Sequence, residues 1–308
     1  MGSRAAGDER IEIAPSVRAA GVLGVARLGV LLDAVRFEHT LFALPFAYLG
    51  VILAARGLPT GHQLLWVTVA MVAARTLAMS ANRLIDWRLD ALNPRTAGRA
   101  LPRGILRPIE MAALSLVSLA GFLFAAAQLN PLALTLAPFA AVFIVGYSYT
   151  KRFTWLSHFA LGIADGIAPM GGWIGVAGAL PWEAILLGLA VATWVGGFDM
   201  MYCCQDYDFD RRQGLKSVAQ TFGIGAALRW SAAMHGLTSA SLLTLGIVLG
   251  LGPVYYLGWA VATVLLVYEH WLVMPEDLSR LDTAFFNVNG YLAIIIFLCT
   301  GASVLFRV

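Results

Sequence analysis

Three oxygen-bearing side chains recur at helical spacing in the first third of the chain, namely Asn82, Asp86 and Asp90. Positions i, i+4 and i+8 of an α-helix project from one face, so this spacing predicts a single polar stripe. Such a stripe has no packing role beside an apolar segment, and its oxygens suit a hard cation such as Mg²⁺. The alternative is a solvated helix end on which arginine and aspartate side chains form pairs.

A second acidic segment follows at residues 199–210, where Asp199, Asp206 and Asp210 are predicted to share a helix face while Asp208 points elsewhere. Asp199 lies about two turns deeper in the apolar sequence than Asp206. A carboxylate inside a membrane is costly, and it indicates a functional site by default. The alternative for Asp199 is an ion pair with a buried arginine such as Arg75.

The two stripes together predict more than either stripe alone. Carboxylates that face each other repel unless cations lie between them, and two Mg²⁺ ions bridging a diphosphate would remove that repulsion. Nearby basic residues would take the remaining phosphate charge, although cytoplasmic loops carry an excess of such residues in any case. The candidates are Lys151, Arg152, Lys216, Arg95 and Arg99.

The composition indicates lipid as the solvent around these stripes. Of the 308 residues, 59% are hydrophobic and 13% are charged, whereas soluble domains have about 45–50% apolar and about 25% charged residues. The formal net charge of +3 gives no support for a nucleic-acid partner. The three cysteines (Cys203, Cys204 and Cys299) form neither a disulfide framework nor a metal-binding spacing.

Nine apolar segments approach the roughly 20 residues that a membrane-spanning helix needs. They lie near residues 38–55, 63–85, 109–129, 131–149, 157–178, 182–203, 226–250, 253–272 and 284–305. No strand-like alternation of polarity occurs, so the sequence predicts an all-α polytopic membrane protein. Residues 1–20 are predicted to be a flexible N-terminus that precedes a single domain at residues 21–308, in which residues 21–37 form an interfacial helix.

Basic residues cluster before the first predicted span and after even-numbered spans, while the opposite loops are nearly free of charge. Lys and Arg mark the cytoplasmic side of a membrane protein. Both acidic stripes are therefore predicted to open on the cytoplasmic side of the cell inner (plasma) membrane. The loop after the eighth span is an exception, because acidic residues outnumber Arg280 there.

Several short motifs occur in a fixed order along the chain. They are NxxxDxxxD at residues 82–90, Arg95-Thr96, the segment at residues 99–104, YxxxK at residues 147–151 with Arg152, and DxxxD at residues 206–210 followed by Gly214 and Lys216-Ser217. This ordered set resembles the UbiA superfamily of intramembrane prenyltransferases, from about residue 36 to the ninth predicted span. The resemblance implies nine helices around a central cavity, a cytoplasmic cap over the Asp motifs and a lateral opening to lipid.

The resemblance also implies a role for each matching residue. Mg²⁺ and diphosphate would be organised by Asn82, Asp86, Asp90, Asp206 and Asp210. Contacts to the diphosphate would come from Tyr147, Lys151 and Lys216, with Arg152 beside them, and Arg36 fits the position of a family arginine near the substrates. Asp86 and Asp206 are expected to be required for catalysis. Asp199 would stabilise the carbocation or the phenol, or take a proton.

The implied reaction is Mg²⁺-dependent transfer of a polyprenyl chain from a prenyl diphosphate to an aromatic acceptor of the 4-hydroxybenzoate type, as in ubiquinone biosynthesis. Residues 36–47 and 285–290 look more like a subgroup that includes enzymes prenylating 1,4-dihydroxy-6-naphthoate for menaquinone. A haem, chlorophyllide or sugar acceptor is a further alternative. From another class, a multi-span transporter would also hold carboxylates in the membrane, but it should show inverted repeats. The predicted partners are the two substrates and the lipid bilayer, with no nucleic acid and no obligate protein partner.

The fifth predicted span contains an acidic residue and several glycines. Asp165 is a second intramembrane carboxylate, which would either face the acceptor or pair with a basic neighbour. The many small residues of this span are predicted to allow close helix packing rather than chemistry. They are Gly162, Gly166, Gly171, Gly172 and Gly175.

Overall fold

The computed structural model describes residues 24–36, 38–281 and 288–306. Over these ranges the fold is helical, and the only extended pairing is an isolated bridge between Met274 and Asp277. The predicted flexible segment at residues 1–20 lies outside the described residues. The helices are α1 (Gly24–Ala34), α2 (Glu38–Ala55), α3 (Gly61–Leu92), α4 (Pro108–Leu129), α5 (Pro131–Thr150), α6 (Ser157–Ala177), α7 (Trp182–Tyr202), α8 (Tyr207–Gln213), α9 (Val218–Phe222), α10 (Ile224–Leu249), α11 (Pro253–Leu272) and α12 (Asn289–Phe306).

A helix occurs at every predicted span, which confirms the all-α class. Seven helical segments in the described part of the chain are long and apolar enough to cross a membrane. They are α3, α4, α5, α6, α7 with its continuation to Gln213, α10 and α12. The other two predicted spans correspond to α2, in which Leu44–Ala55 is a shorter apolar helical segment, and to α11. The count of nine membrane crossings therefore stays a prediction.

The length of α3 explains how the first acidic stripe is held. With 32 residues, α3 is about 48 Å long, whereas the hydrocarbon core of a bilayer is about 30 Å thick. Thr60 caps the helix just before Gly61, since its side chain accepts a hydrogen bond from the backbone N–H of Gln63 and forms a capping box. Its last turns carry the stripe beyond the predicted span, which ended at residue 85.

Glycines in α6 bring neighbouring helices into close contact. A Cβ atom at Gly162 would lie 2.2 Å from the Ala192 carbonyl oxygen of α7, and one at Gly172 would lie 2.1 Å from the Ala47 carbonyl oxygen of α2. Only glycine fits at such positions, as predicted. Gly171 is different, because nothing lies within 4 Å of its Cβ position. The packing role predicted for Gly171 is therefore wrong.

A buried polar network fixes α7, the helix that carries Asp199. Trp194 Nε1 donates a hydrogen bond of 2.5 Å to Asn289 Oδ1 of α12, and Asn289 Nδ2 donates one of 2.8 Å to Glu269 Oε1 of α11. Buried polar groups of this kind need partners, so the bonds constrain how the three helices pack. Asn289 belongs to the segment at residues 285–290 noted in the sequence, of which residues 285–287 lie outside the described residues.

One end of the bundle carries the irregular structure. Residues 93–107 form a series of turns after α3, and a 3₁₀ turn at Cys203–Asp206 leads from α7 into the short helices α8 and α9. Gly214 ends α8 with φ 68°, a left-handed conformation that glycine adopts without strain. The chain therefore turns sharply there, just before Lys216.

Candidate active site

A polar cavity of about 410 Å³ lies at this end of the bundle, between the ends of α3 and α7. Both acidic stripes line it: Asn82, Asp86, Asp90, Asp199, Asp206 and Asp210. Arg36, Tyr147, Lys151 and Lys216 line it as well, whereas Arg152 does not. The structure thus brings together side chains from distant parts of the sequence. Asp208 is exposed and lies outside the cavity lining, as predicted.

Asp86 is the most deeply buried carboxylate of the first stripe, with 3% of its side chain exposed. Lys151 Nζ lies 2.6 Å from Asp86 Oδ2, and Arg152 Nη2 lies 3.2 Å from Oδ1. Asn82 Nδ2 donates a third hydrogen bond, of 3.2 Å, to Oδ2. The C-terminal end of α5 therefore supplies the charge that a buried carboxylate needs.

The turns at residues 93–107 provide the basic partners of two further carboxylates. Arg99 Nη1 lies 2.7 Å from Asp90 Oδ2, and Arg95 Nη2 lies 2.5 Å from Asp206 Oδ2. Asn93 Nδ2 donates a hydrogen bond of 3.0 Å to Asp206 Oδ1. Burial alone would lower the pKa of Arg95, but the hydrogen bonds and the charge of Asp206 raise it above its usual value.

The acidic stripes do not face each other unshielded, because protein cations lie between them. Among the described residues that line the polar cavity, seven are Lys or Arg and five are Asp. This excess of positive charge suits an anionic ligand. The repulsion that led us to expect Mg²⁺ between the stripes is therefore already reduced by Lys and Arg side chains.

The donor set still fits a hard divalent cation. Within the described ranges, no cluster of three or more His, Cys, Asp or Glu side chains is arranged to hold a metal ion by itself. Mg²⁺, however, is usually held by one or two carboxylates together with substrate phosphates and water. The carboxylates around this cavity could contribute in that way when an anionic ligand is present.

Lys216 reaches the cavity because its backbone is tied to α5. The Lys216 N–H donates a hydrogen bond of 2.7 Å to the Lys151 carbonyl oxygen. The two lysines are 65 residues apart in the sequence, yet this bond places them side by side. The next residue, Ser217, is buried, and its hydroxyl accepts a hydrogen bond of 3.1 Å from the Gln220 backbone N–H.

A second cavity, of about 390 Å³, extends from the polar one into the bundle. Its lining is almost entirely apolar, and it meets the polar cavity at three residues that line both: Arg75, Tyr147 and Leu161. An apolar cavity that borders a charged one matches an amphipathic ligand with an anionic head.

The ion pair at this junction differs from the one considered in the sequence analysis. Arg75 Nη1 lies 3.7 Å from Asp165 Oδ1, and not beside Asp199. The alternative in which Asp199 pairs with Arg75 is therefore wrong, whereas Asp165 does pair with a basic neighbour. The Arg75 Nε atom is buried and has no hydrogen-bond partner among the described residues.

Comparison with known proteins places the chain in a family. The model of the UbiA prenyltransferase family matches residues 43–291. This chain belongs to the UbiA prenyltransferase family. The resemblance inferred from the ordered motifs is thereby confirmed.

Individual relatives of this UbiA-family chain cover most of its length. It is 32% identical over 259 residues to the 4-hydroxybenzoate octaprenyltransferase of Aliivibrio fischeri (strain MJ11), covering 83% of this chain and 88% of the relative. The structure resembles that of an apo UbiA homologue from Aeropyrum pernix K1 with a TM-score of 0.79 and 34% identity, covering 85% and 96% of the two chains. A UbiA homologue from Archaeoglobus fulgidus, described as bound to DMAPP and Mg²⁺, shares the fold with a TM-score of 0.72 and 17% identity over 89% and 98% of the chains.

Sequence reasoning assigned no individual role to four polar residues of this UbiA-family site. Asn93 donates a hydrogen bond to Asp206, and Ser148 accepts one of 3.2 Å from Asn82 Nδ2. Ser217 is buried and lines the cavity together with Asp210. His158 is the fourth, since its Nδ1 atom lies 2.6 Å from Asp199 Oδ2. A signal existed for Asn93 and Ser217, which lie three residues after Asp90 and seven after Asp210. No local spacing links His158 to Asp199.

Proposed function

We propose that this UbiA-family protein transfers a prenyl group from a prenyl diphosphate to an aromatic acceptor. The observation that carries the proposal is the junction of the two cavities at Arg75 and Tyr147. A diphosphate head matches the basic lining of the polar cavity, and an isoprenoid tail matches the apolar cavity. The match to the UbiA prenyltransferase family argues against the alternative of a transporter.

In this proposal, Mg²⁺ is held by the acidic stripes and by the diphosphate itself. The residues that would contribute are Asn82, Asp86, Asp90, Asp206 and Asp210. When bound, the cation withdraws charge from the diphosphate and so makes it a better leaving group. The description of the Archaeoglobus fulgidus homologue, which shares the fold, as bound to DMAPP and Mg²⁺ agrees with this assignment.

The chain's own basic residues would orient and stabilise the leaving group. Lys151 and Lys216 lie side by side in the cavity, where their ammonium groups can donate hydrogen bonds to phosphate oxygens. As the allylic C–O bond breaks, its electron pair stays on the diphosphate, and fixed positive charge stabilises that developing charge. Tyr147, at the junction, would hold the bond that breaks near the boundary between the cavities.

The acceptor would react at the same boundary. A ring carbon forms the new C–C bond to the allylic carbon, and the ring then loses a proton to a base. Asp199 lines the polar cavity and is our candidate for stabilising the cation or the phenol, or for taking that proton. The apolar walls of the second cavity exclude water that would otherwise quench the carbocation.

The acceptor class follows from the relatives and from two sequence segments. The curated relatives are described as 4-hydroxybenzoate octaprenyltransferases, which favours 4-hydroxybenzoate as the acceptor and ubiquinone biosynthesis as the process. Residues 36–47 and 285–290 resemble a subgroup that includes both 4-hydroxybenzoate-type enzymes and enzymes prenylating 1,4-dihydroxy-6-naphthoate, which makes the naphthoate and menaquinone biosynthesis the second candidate. Both acceptors are acidic aromatic rings activated by hydroxyl groups, so the same site chemistry serves either.

We further propose that the protein lies in the bacterial inner membrane with the polar cavity on the cytoplasmic side. The support is the distribution of basic residues, since the turns at residues 93–107 and the segment after α7 lie at the cavity end and carry Arg95, Arg99, Arg211 and Lys216. This orientation would give a water-soluble acceptor direct access from the cytoplasm.

The test uses purified protein in nanodiscs with a radiolabelled prenyl diphosphate, Mg²⁺ and each acceptor in turn, with products identified by mass spectrometry. We expect wild-type protein to yield a prenylated ring, and Asp86→Ala and Asp206→Ala to yield none while remaining folded. Full activity of either variant, or no product from wild type with either acceptor, would contradict the proposal.

A further inference from the structure

His158 and Asp199 form a hydrogen-bonded pair at the wall of the polar cavity. His158 lies in the first turn of α6, and its side chain is only 6% exposed. Asp199 lies near the end of α7, and 27% of its side chain is exposed, within the lining of the cavity. Both residues line the polar cavity, and the aspartate is the more exposed of the two.

The second ring nitrogen of His158 determines which way the first hydrogen bond runs. The backbone N–H of Val218 donates to His158 Nε2 at 3.4 Å, so Nε2 must carry a lone pair. A neutral imidazole then has its proton on Nδ1, which donates to Asp199 Oδ2 at 2.6 Å. The Val218 contact therefore selects the tautomer that can hold the Asp199 carboxylate.

The same contact connects Asp199 to the segment that carries Lys216. Val218 begins α9 two residues after Lys216, and the Lys216 backbone is itself bonded to Lys151. The short backbone segment from Lys216 to Val218 thus joins the Lys216–Lys151 hydrogen bond to the imidazole and, through its Nδ1 atom, to Asp199. Such outer partners fix the orientation of the groups that contact substrate.

We propose that His158 is a positioning residue for Asp199. Its imidazole is held by Val218, in the segment that carries Lys216, and it orients the Asp199 carboxylate toward the aromatic acceptor. The proposal rests on the proposed function, since it assigns Asp199 to the acceptor half of that reaction. It predicts that loss of the Nδ1 bond impairs transfer without weakening the binding of prenyl diphosphate.

Two amide substitutions separate the two nitrogens of His158. In His158→Asn the side-chain amide nitrogen can occupy the position of Nδ1 and donate to Asp199. In His158→Gln the longer side chain places its amide near the position of Nε2, where its oxygen can accept from Val218 but no donor faces Asp199. The two variants are similar in polarity, so they are matched controls for one another.

We expect His158→Gln to lower kcat for transfer by about 10²-fold, as misplaced catalytic groups commonly do. Its KM for prenyl diphosphate should stay at the wild-type value. His158→Asn should retain clearly more activity than His158→Gln, although it loses the Val218 contact. A purely structural role predicts the opposite order or no difference, because the Gln side chain fills the site better.

A double-mutant cycle with Asp199→Asn tests whether His158 acts through Asp199. In the Asp199→Asn background, His158→Gln should have little further effect, because interacting residues are not additive. Activities are compared only among variants whose thermal unfolding temperatures in detergent equal that of the wild type. If the wild type is active, equal activity of the Asn and Gln variants, or additive effects in the cycle, would overturn the proposal. An inactive wild type would refute the proposed function, and with it the role of His158.

Discussion

Lys151 Nζ lies 2.6 Å from Asp86 Oδ2, although the two residues are 65 positions apart in the sequence. In the proposed function, one of these groups contacts the diphosphate and the other contacts Mg²⁺. The structure therefore shows two oppositely charged binding groups neutralising each other. A ligand that brings both phosphate and Mg²⁺ would offer each of them a new partner at the same time.

Replacing Lys151 by Met should remove a diphosphate contact and also leave Asp86 with Arg152 as its main partner. We expect kcat/KM for prenyl diphosphate to fall by about 10²- to 10³-fold, the usual loss for one donor that stabilises developing charge. Initial rates with a labelled diphosphate measure the effect. The control is Arg211→Met, since Arg211 is exposed and lies outside the cavity lining. Wild-type kcat/KM for Lys151→Met would argue against a diphosphate contact.

Chelation of divalent cations should abolish transfer, and Mg²⁺ should restore it. Ca²⁺ should restore much less, because it prefers longer bonds and more ligands than Mg²⁺.

A sharper test of the metal site is the concentration of free Mg²⁺ that gives the half-maximal rate of transfer. Asp206→Asn should raise it strongly, while Asp208→Asn should not, because Asp208 is exposed and lies outside the cavity lining. Equal Mg²⁺ requirements for the two variants would refute the assignment of Asp206.

The acidic stripes could be predicted from sequence because helical periodicity is local. Residues spaced by four share a face whatever the helix packs against, so Asn82, Asp86 and Asp90 were placed on one stripe before any tertiary contact was known. The break at Cys203–Asp206 did not disturb the second stripe, since Asp199, Asp206 and Asp210 all line the cavity.

The partners of these carboxylates could not be predicted in the same way. Arg95 and Asp206 are 111 residues apart, and His158 and Asp199 are 41 apart, on different helices or turns. Which residues meet depends on how helices pack and where turns direct the chain, and neither is encoded in a periodic pattern. The predicted span ended at residue 85 although α3 continues to Leu92, because hydropathy reports where the membrane ends and not where the helix ends.

Neutralising Asp165 should lower the KM of the site for an acidic acceptor. Asp165 offsets the positive charge of Arg75 at the junction of the cavities, so Asp165→Asn should leave that charge free to attract a carboxylate. We expect the KM for 4-hydroxybenzoate to fall by roughly fivefold, equivalent to about 1 kcal/mol of charge interaction. The methyl ester of the same acid is the neutral control, and its KM should not change. A parallel shift for both compounds would mean that Asp165 acts through packing rather than charge.

Two adjacent glycines of α6 should respond to the same substitution with opposite signs. In Gly172→Ala the new Cβ would lie 2.1 Å from the Ala47 carbonyl oxygen, and backbone of a packed helix cannot move aside as a flexible side chain can. Overpacking of this kind costs about 1–3 kcal/mol, so the thermal unfolding temperature in detergent should fall.

Gly171→Ala places its Cβ in open space at the edge of the apolar cavity. Alanine favours helix over glycine by about 1 kcal/mol, so this variant should be as stable as wild type or more stable. Both substitutions replace glycine by alanine at adjacent positions, so each is the control for the other. If both lowered the unfolding temperature equally, the close contact of α6 with α2 would not be what requires glycine in this helix.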